Sequence, residues 1–183
     1  MTTPYAEFSR AGVSESFIAE ARRLLREEYL PKIERCLEKL TDEQVWWRPN
    51  PECNSIGNLL LHLSGNARQW IVCGLGSAID QRQRQTEFDQ REVIPLEELL
   101  GKLRTTVSEV DAVLSAFEPS RLLDKYQIQG TTSTALAAIF HVTEHFSMHT
   151  GQIILLTKML AGVDLVFYDF SSGKPAHTWH RPE

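Results

Sequence analysis

The chain has 183 residues, 42% of them hydrophobic, which is ordinary for a globular protein and enough for one domain with its own core. A net charge of -5 and a pI of about 5.7 offer no basic patch for nucleic acid, and no apolar run reaches the roughly 18 residues of a membrane span. Residues 1–11, with Glu7 and Arg10, lack the continuous apolar segment of a secretory signal, and three scattered cysteines (Cys36, Cys53, Cys73) make no disulfide framework, so a reducing cytoplasm is the expected setting.

Residues 1–13 read as a lead-in. Ser14 can cap a first helix, and Phe17, Ala21, Leu24, Leu25, Ile33, Cys36, Leu37 and Leu40 carry a helical pattern over Ser16 to Leu40. Pro31 removes one backbone hydrogen bond inside it, which predicts a bend near Tyr29–Pro31. Thr41-Asp-Glu-Gln44 is a capping box for a short turn through Trp46-Trp47, two tryptophans read as core or lid packing. Asn54 or Ser55 starts a second long helix running to about Gly74, with His62 on it and Asn58, Asn66 and Gln69 on the same face. Gly74 to Ile94 carries Asp80, Arg82, Arg84, Glu87, Asp89, Arg91 and Glu92; it reads as a solvated connection, with a pocket rim or a subunit contact as the alternative.

Pro95 fits the N1 position of a third long helix ending near Phe117-Glu118-Pro119, with Leu96, Leu99, Leu103, Val107, Val110, Val113 and Leu114 inward. Residues 120–131 form a connection turning at Gly130, and Tyr126-Gln-Ile128 is too short a pattern to define a strand. Thr132 or Ser133 caps a fourth long helix that runs to about Leu160 and closes at Gly162. Apolar residues run almost all round it, which predicts a central helix. The aromatic tail, Val163 to Glu183, is expected to pack back in part. Together these segments predict an all-α chain, an antiparallel four-helix bundle with a non-helical C-terminal tail, residues 1–183 forming a single domain.

The fourth helix carries the chemistry. His141, His145 and His149 recur every fourth residue and, with Gln152, fall within a stripe about 80° wide at 100° per residue. Ala138 and Leu156 flank the stripe, so it points inward, where unpaired imidazoles would cost about 1–3 kcal/mol each. A metal ion is one partner for such a set: two histidines at i and i+4 reach a common ion, and His62, on another long helix with a polar stripe, is the natural third ligand. Three protein ligands leave a fourth position for a water or a thiol. A competing pattern is His141-Val-Thr-Glu144-His145, the inverted zinc-peptidase signature with Glu144 as base, but it explains neither His149 nor His62, and terminal Glu183 is the single downstream glutamate for its third ligand.

Two segments resemble the DinB/YfiT-like superfamily of metal-binding four-helix bundles: Asn54-Ser-Ile-Gly57-Asn58-Leu-Leu-Leu-His62-Leu-Ser-Gly65-Asn66, and His141-x-x-x-His145-x-x-x-His149-Thr-Gly151-Gln152. The segment ending Arg84-Gln-Thr-Glu87-Phe88 is similar to one branch of the group, whereas Thr150 stands where many members have Arg. The resemblance implies His62, His145 and His149 as ligands of a divalent metal ion, zinc or nickel, with His141, Asn66, Gln152 and Glu144 as candidates around them. It implies a homodimer and a small-molecule substrate. Relatives include transferases that use a low-molecular-weight thiol, and others grouped as metal-dependent hydrolases. Three functions follow as expectations: a metal-dependent thiol transferase; a hydrolase on the same site with Glu144 or another group as base, although Glu144 lies about 100° around the helix from His145; or a stress-related binding protein whose histidines are satisfied by Asn66, Gln69 and Gln152.

Overall fold

The computed structural model describes residues 12–179 and is mostly helical, with two short hairpins. Most of the expected lead-in, the stretch weighed for a secretory signal and the last tail residues (180–183, Glu183 among them) fall outside the described residues. The first segment comprises α1 (Val13–Arg23), a π-helical turn (Leu24–Tyr29) and α2 (Leu30–Leu37). The proline is therefore accommodated by a widened turn in front of it. Pro31 has no N–H for the carbonyl four residues back, and that carbonyl, of Glu27, accepts instead from the Trp179 indole Nε1 at 2.8 Å. A short α3 (Asp42–Trp46) follows, with the expected reciprocal cap between Thr41 and Gln44.

The second segment is α4 (Ile56–Ala67), started by a capping box between Ser55 and Asn58, and a second π-helical turn (Arg68–Cys73). Trp46 packs on Gly57, where a Cβ would meet the indole at 2.7 Å, and its Nε1 donates to the Ile94 carbonyl. Next come α5 (Arg84–Asp89), inside the stretch expected as a solvated connection, and α6 (Leu96–Ser115), with Pro95 one position outside the helix. A 3-10 turn (Pro119–Arg121) leads to an antiparallel hairpin of β1 (Lys125–Ile128) and β2 (Thr131–Thr134), with Lys125 opposite Thr134 and Ile128 opposite Thr131. Gln129 and Gly130, φ 53° and 75°, make its two-residue turn, the left-handed pair that matches strand twist. Because β2 takes Thr132 and Ser133, the cap of α7 (Ala135–Ala161) falls to Thr134, whose side chain accepts from the Ala137 N–H; left-handed Gly162, φ 62°, ends the helix.

Helix α4 packs on α6 and α7, and α7 on α1, α2 and β2. Ile33, Leu37, Leu63, Ile71, Leu103, Phe146 and Ile153 are buried between them. The expectation of a wholly central fourth helix needs correction: α7 buries one side but exposes Leu136, Phe140, Met148, Leu155 and Met159. The tail, with β3 (Tyr168–Asp169) and β4 (Ala176–His177), docks on the first segment. Arg35 Nη1 donates to the Val166 carbonyl at 2.9 Å and to Thr178 Oγ1 at 2.5 Å, and Lys32 Nζ lies 4.3 Å from the centre of the Trp179 ring. Among the described residues no helix is long and apolar enough to cross a membrane.

Candidate metal centre

The Ser55 cap sets the start of α4 so that His62, two turns in, faces α7. On α7, His145 and His149 stand one turn apart. All three imidazoles are buried. His62 Nε2 lies 3.0 Å from His145 Nε2, which lies 3.1 Å from His149 Nε2. Both outer rings have their far nitrogen opposite an oxygen: His62 Nδ1 is 2.9 Å from Glu87 Oε2, and His149 Nδ1 is 2.7 Å from Gln152 Oε1. Nδ1 therefore donates in both rings, and both Nε2 lone pairs face His145. His145 has one ring proton and cannot satisfy two lone pairs together, while its buried Nδ1 has no hydrogen-bond partner. A cation bound by all three Nε2 atoms resolves this crowding. Tetrahedral coordination at 2.0–2.1 Å separates ligand nitrogens by about 3.3 Å, within a few tenths of the observed spacing. These residues fit a divalent ion.

Electrostatics keep His145 and His149 in their ligand form. Burial, then the neighbouring His149 and His62, push His145 down to about 3. Burial also lowers His149, against the opposing hydrogen bond from Gln152. Neutral imidazole is the form that binds a metal.

His141 lies beside the triad. Half-buried, it stacks on His145 with centroids 5.4 Å apart, packs on Trp70 at 4.3 Å, and its Nε2 accepts from Asn66 Nδ2 at 3.1 Å. Burial lowers its pKa too. Asn66 thus orients His141, and Gln152 orients His149. Gln69 reaches none of the histidines: it donates to Asp80 Oδ2 at 2.7 Å and accepts from Arg82 Nη1 at 2.8 Å. Glu144 is exposed and is not brought to the triad. The three cysteines are free thiols, and burial pushes the Cys36 thiol up to about 11 and raises Cys73, so neither is activated.

Sequence reasoning missed Arg82 and Glu87, assigned above to a solvated connection. Both are buried against His62. Arg82 donates through Nε to Glu87 Oε1 at 2.7 Å and through Nη2 to Oε2 at 2.8 Å. Burial pushes Glu87 up, but the hydrogen bonds with Arg82 and His62 outweigh it and hold the carboxyl below its usual range. Asn58 ties the segment down, its Nδ2 donating to the Glu87 carbonyl at 2.7 Å and to that of Gln90 at 3.2 Å. Phe88 closes over His62 with centroids 4.7 Å apart. Gly65 makes room: a Cβ there would overlap the Glu87 carboxylate and lie 2.9 Å from Arg82 Nε. The available signal was Asn58 and Gly65 on the face of His62, a hook and a gap for a further segment. A cleft of about 360 Å³ lies on the far side of this pair, lined by Arg68, Cys73, Asp80 and Lys102. A wider one of about 790 Å³ between α2 and the start of α6 touches no histidine of the triad.

The family model described as "Protein of unknown function (DUF1572)" matches residues 12–173. The fold is similar to that of a conserved protein from Enterococcus faecalis, 15% identical with a TM-score of 0.60, over 82% of this chain and 96% of that one. It is also similar to a DinB-like protein from Bacillus cereus ATCC 10987, 18% identical with a TM-score of 0.62, over 82% and 94%. At such identities the likeness is one of fold. No curated protein matches the chain. A match over nearly the whole chain makes the protein a member of the DUF1572 family, with a fold like that of the DinB-like protein.

Proposed function

We propose that the protein is an antiparallel four-helix bundle that holds a divalent metal ion on His62, His145 and His149 and acts as a metal-dependent transferase with a low-molecular-weight thiol. One observation carries the metal site: three buried Nε2 atoms converge, and the flanking rings are held by Glu87 and Gln152 so that their lone pairs face inward. A bound zinc or nickel ion supplies Lewis acidity, lowering the pKa of a thiol or water at the position the histidines leave free. The chain's own residues orient and exclude water. Gln152 and Glu87 set the ring orientations, Phe88 covers His62, and His141 with Trp70 forms an aromatic wall one turn before the ligands.

The exposure of Glu144 favours a thiol over water as nucleophile. Neither Glu144 nor Glu87, which is tied up by Arg82, is placed to act as a base, and a thiol, starting from an ordinary pKa of about 8.5 against about 15.7 for water, needs the smaller shift to ionise. Three free cysteines support a cytoplasmic setting. A homodimer is supported by the exposed stripe of α7, which is self-complementary. An antiparallel second copy would set Leu136 against Met159 and Phe140 against Leu155, as a two-fold interface requires.

Elemental analysis of purified full-length protein should find one ion per chain, lost in His149→Ala. The metal-loaded protein should then accelerate conjugation of a small thiol to a chromogenic electrophile. Turnover with water alone would replace transfer by hydrolysis. Metal retention without either activity would leave a binding protein, and the absence of metal from the unaltered chain would remove the site.

A further inference from the structure

We propose that Glu87 is a positioning residue for the metal centre: it fixes His62 in the tautomer that carries its proton on Nδ1, and so presents the Nε2 lone pair to the ion. The inference rests on the metal reading of the triad and adds to it a residue from a segment with no histidine. The geometry carries it in three steps. First, His62 Nδ1 has two neighbours, Glu87 Oε2 at 2.9 Å and Arg82 Nη2 at 3.2 Å. A carboxylate accepts, so Glu87 requires a proton on Nδ1; a guanidinium donates, so Arg82 by itself would require a lone pair there. The two demands are opposite, and the shorter contact belongs to Glu87.

Secondly, Arg82 is aimed at Glu87 rather than at His62: its Nε and one N–H of Nη2 form the two-pronged pair with the carboxylate, and its Nη1 donates to Gln69, so its contact with His62 is the longer one. The cation thereby keeps the carboxylate ionised, and the shorter contact with His62 Nδ1 belongs to that carboxylate. Thirdly, the carboxylate has little freedom to leave. Asn58 holds the Glu87 and Gln90 carbonyls, Arg48 Nη1 and Nη2 reach the Cys53 and Gln90 carbonyls, and Gly65 supplies the gap in which the pair lies. Segment 80–90 is thus fastened at both ends of its contact with His62, by Asn58 of α4 at one and by Gln69 of the following π-helical turn at the other. On the other side of the triad Gln152 plays the matching part for His149, from within the same helix. For His62 the accepting oxygen comes from elsewhere in the chain, since the matching position three residues on in α4 is Gly65.

The test uses full-length, metal-stripped protein with ¹⁵N-labelled histidine, its ring nitrogens read by long-range proton–nitrogen correlation; the His62 signals are assigned by their loss in His62→Gln. In the unaltered chain His62 should carry its proton on Nδ1. In Glu87→Met, where Arg82 is the remaining neighbour, the proton should move to Nε2, while His149 keeps its own on Nδ1. Glu87→Gln retains one accepting oxygen and should restore part of the original signal. A purely structural role for Glu87 would leave the tautomer unmoved. Zinc affinity, measured by competition with a chromophoric chelator, should fall about 10–100-fold in Glu87→Met, with partial recovery in Glu87→Gln.

A His62 proton on Nε2 in the unaltered protein overturns the proposal, and this observation does not depend on any variant folding. An unchanged tautomer in folded Glu87→Met overturns it as well. Failure of the unaltered chain to retain zinc, with the tautomer shift intact, sinks the metal reading and leaves the positioning of His62 by Glu87 established.

Discussion

His145 is wedged between two imidazoles whose lone pairs already face it. Its pKa is lowered from 6.5 to about 3, and those of His149 and His141 move the same way. The unfolded chain therefore binds protons that the folded chain refuses, so between about pH 6.5 and 3 stability rises with pH and is lost on acidification. Glu87 reinforces this lower down: its carboxyl is held below the ordinary 4.5, and that contribution, present above 4.5, disappears as pH falls through the folded value. The urea midpoint of metal-stripped protein should drop from about pH 7.5 to about 5.5, and His145→Gln should flatten the slope. A midpoint that stayed level in the unaltered chain would show that these imidazoles are not held neutral by the fold.

At the scale of elements, the tail and the first helix depend on each other through a single proline. Pro31 leaves the Glu27 carbonyl without its backbone donor, and Trp179, 152 residues away, provides one while its ring covers Lys32. Trp179→Phe keeps most of the ring and removes the N–H, and should cost about 0.5–1.5 kcal/mol in urea denaturation, the usual net worth of one hydrogen bond. A loss below a few tenths would mean that water takes the place of the indole. Several elements were readable in the sequence because their signals are local. The capping boxes at Thr41 and Ser55 need only neighbours three residues apart, and the long helices need only their periodicity. The hairpin at Lys125–Thr134 was not, since four-residue strands hold too few alternations to stand out, and forming it moved the helix cap from Thr132 or Ser133 to Thr134. Helix α5 was hidden among charges that look solvated until Arg82 and Glu87 find each other and His62.

For the whole molecule, the uncovered face of α7 is the main unfinished surface. Phe140→Glu places a charge in the apolar stripe and, in the proposed two-fold dimer, would set it against Leu155 of the partner copy. Sedimentation should show the unaltered protein as a dimer and this variant as a monomer with its helix content intact. A unaltered protein that sediments as a monomer would leave the stripe without a partner copy. By itself the sequence determined a mostly helical chain, an inward histidine stripe on the fourth long helix and the candidacy of His62, because helical periodicity and capping are properties of neighbouring residues. The family resemblance already implied His62, His145 and His149 with His141 beside them; only the tertiary structure decided that their nitrogens meet at one locus, that Glu87 reaches it while Glu144 faces outward, and that α7 keeps one side exposed. Each of those outcomes depends on how segments 25 to 87 residues apart pack together, and a helical period says which side of a helix turns inward without saying what it will meet there.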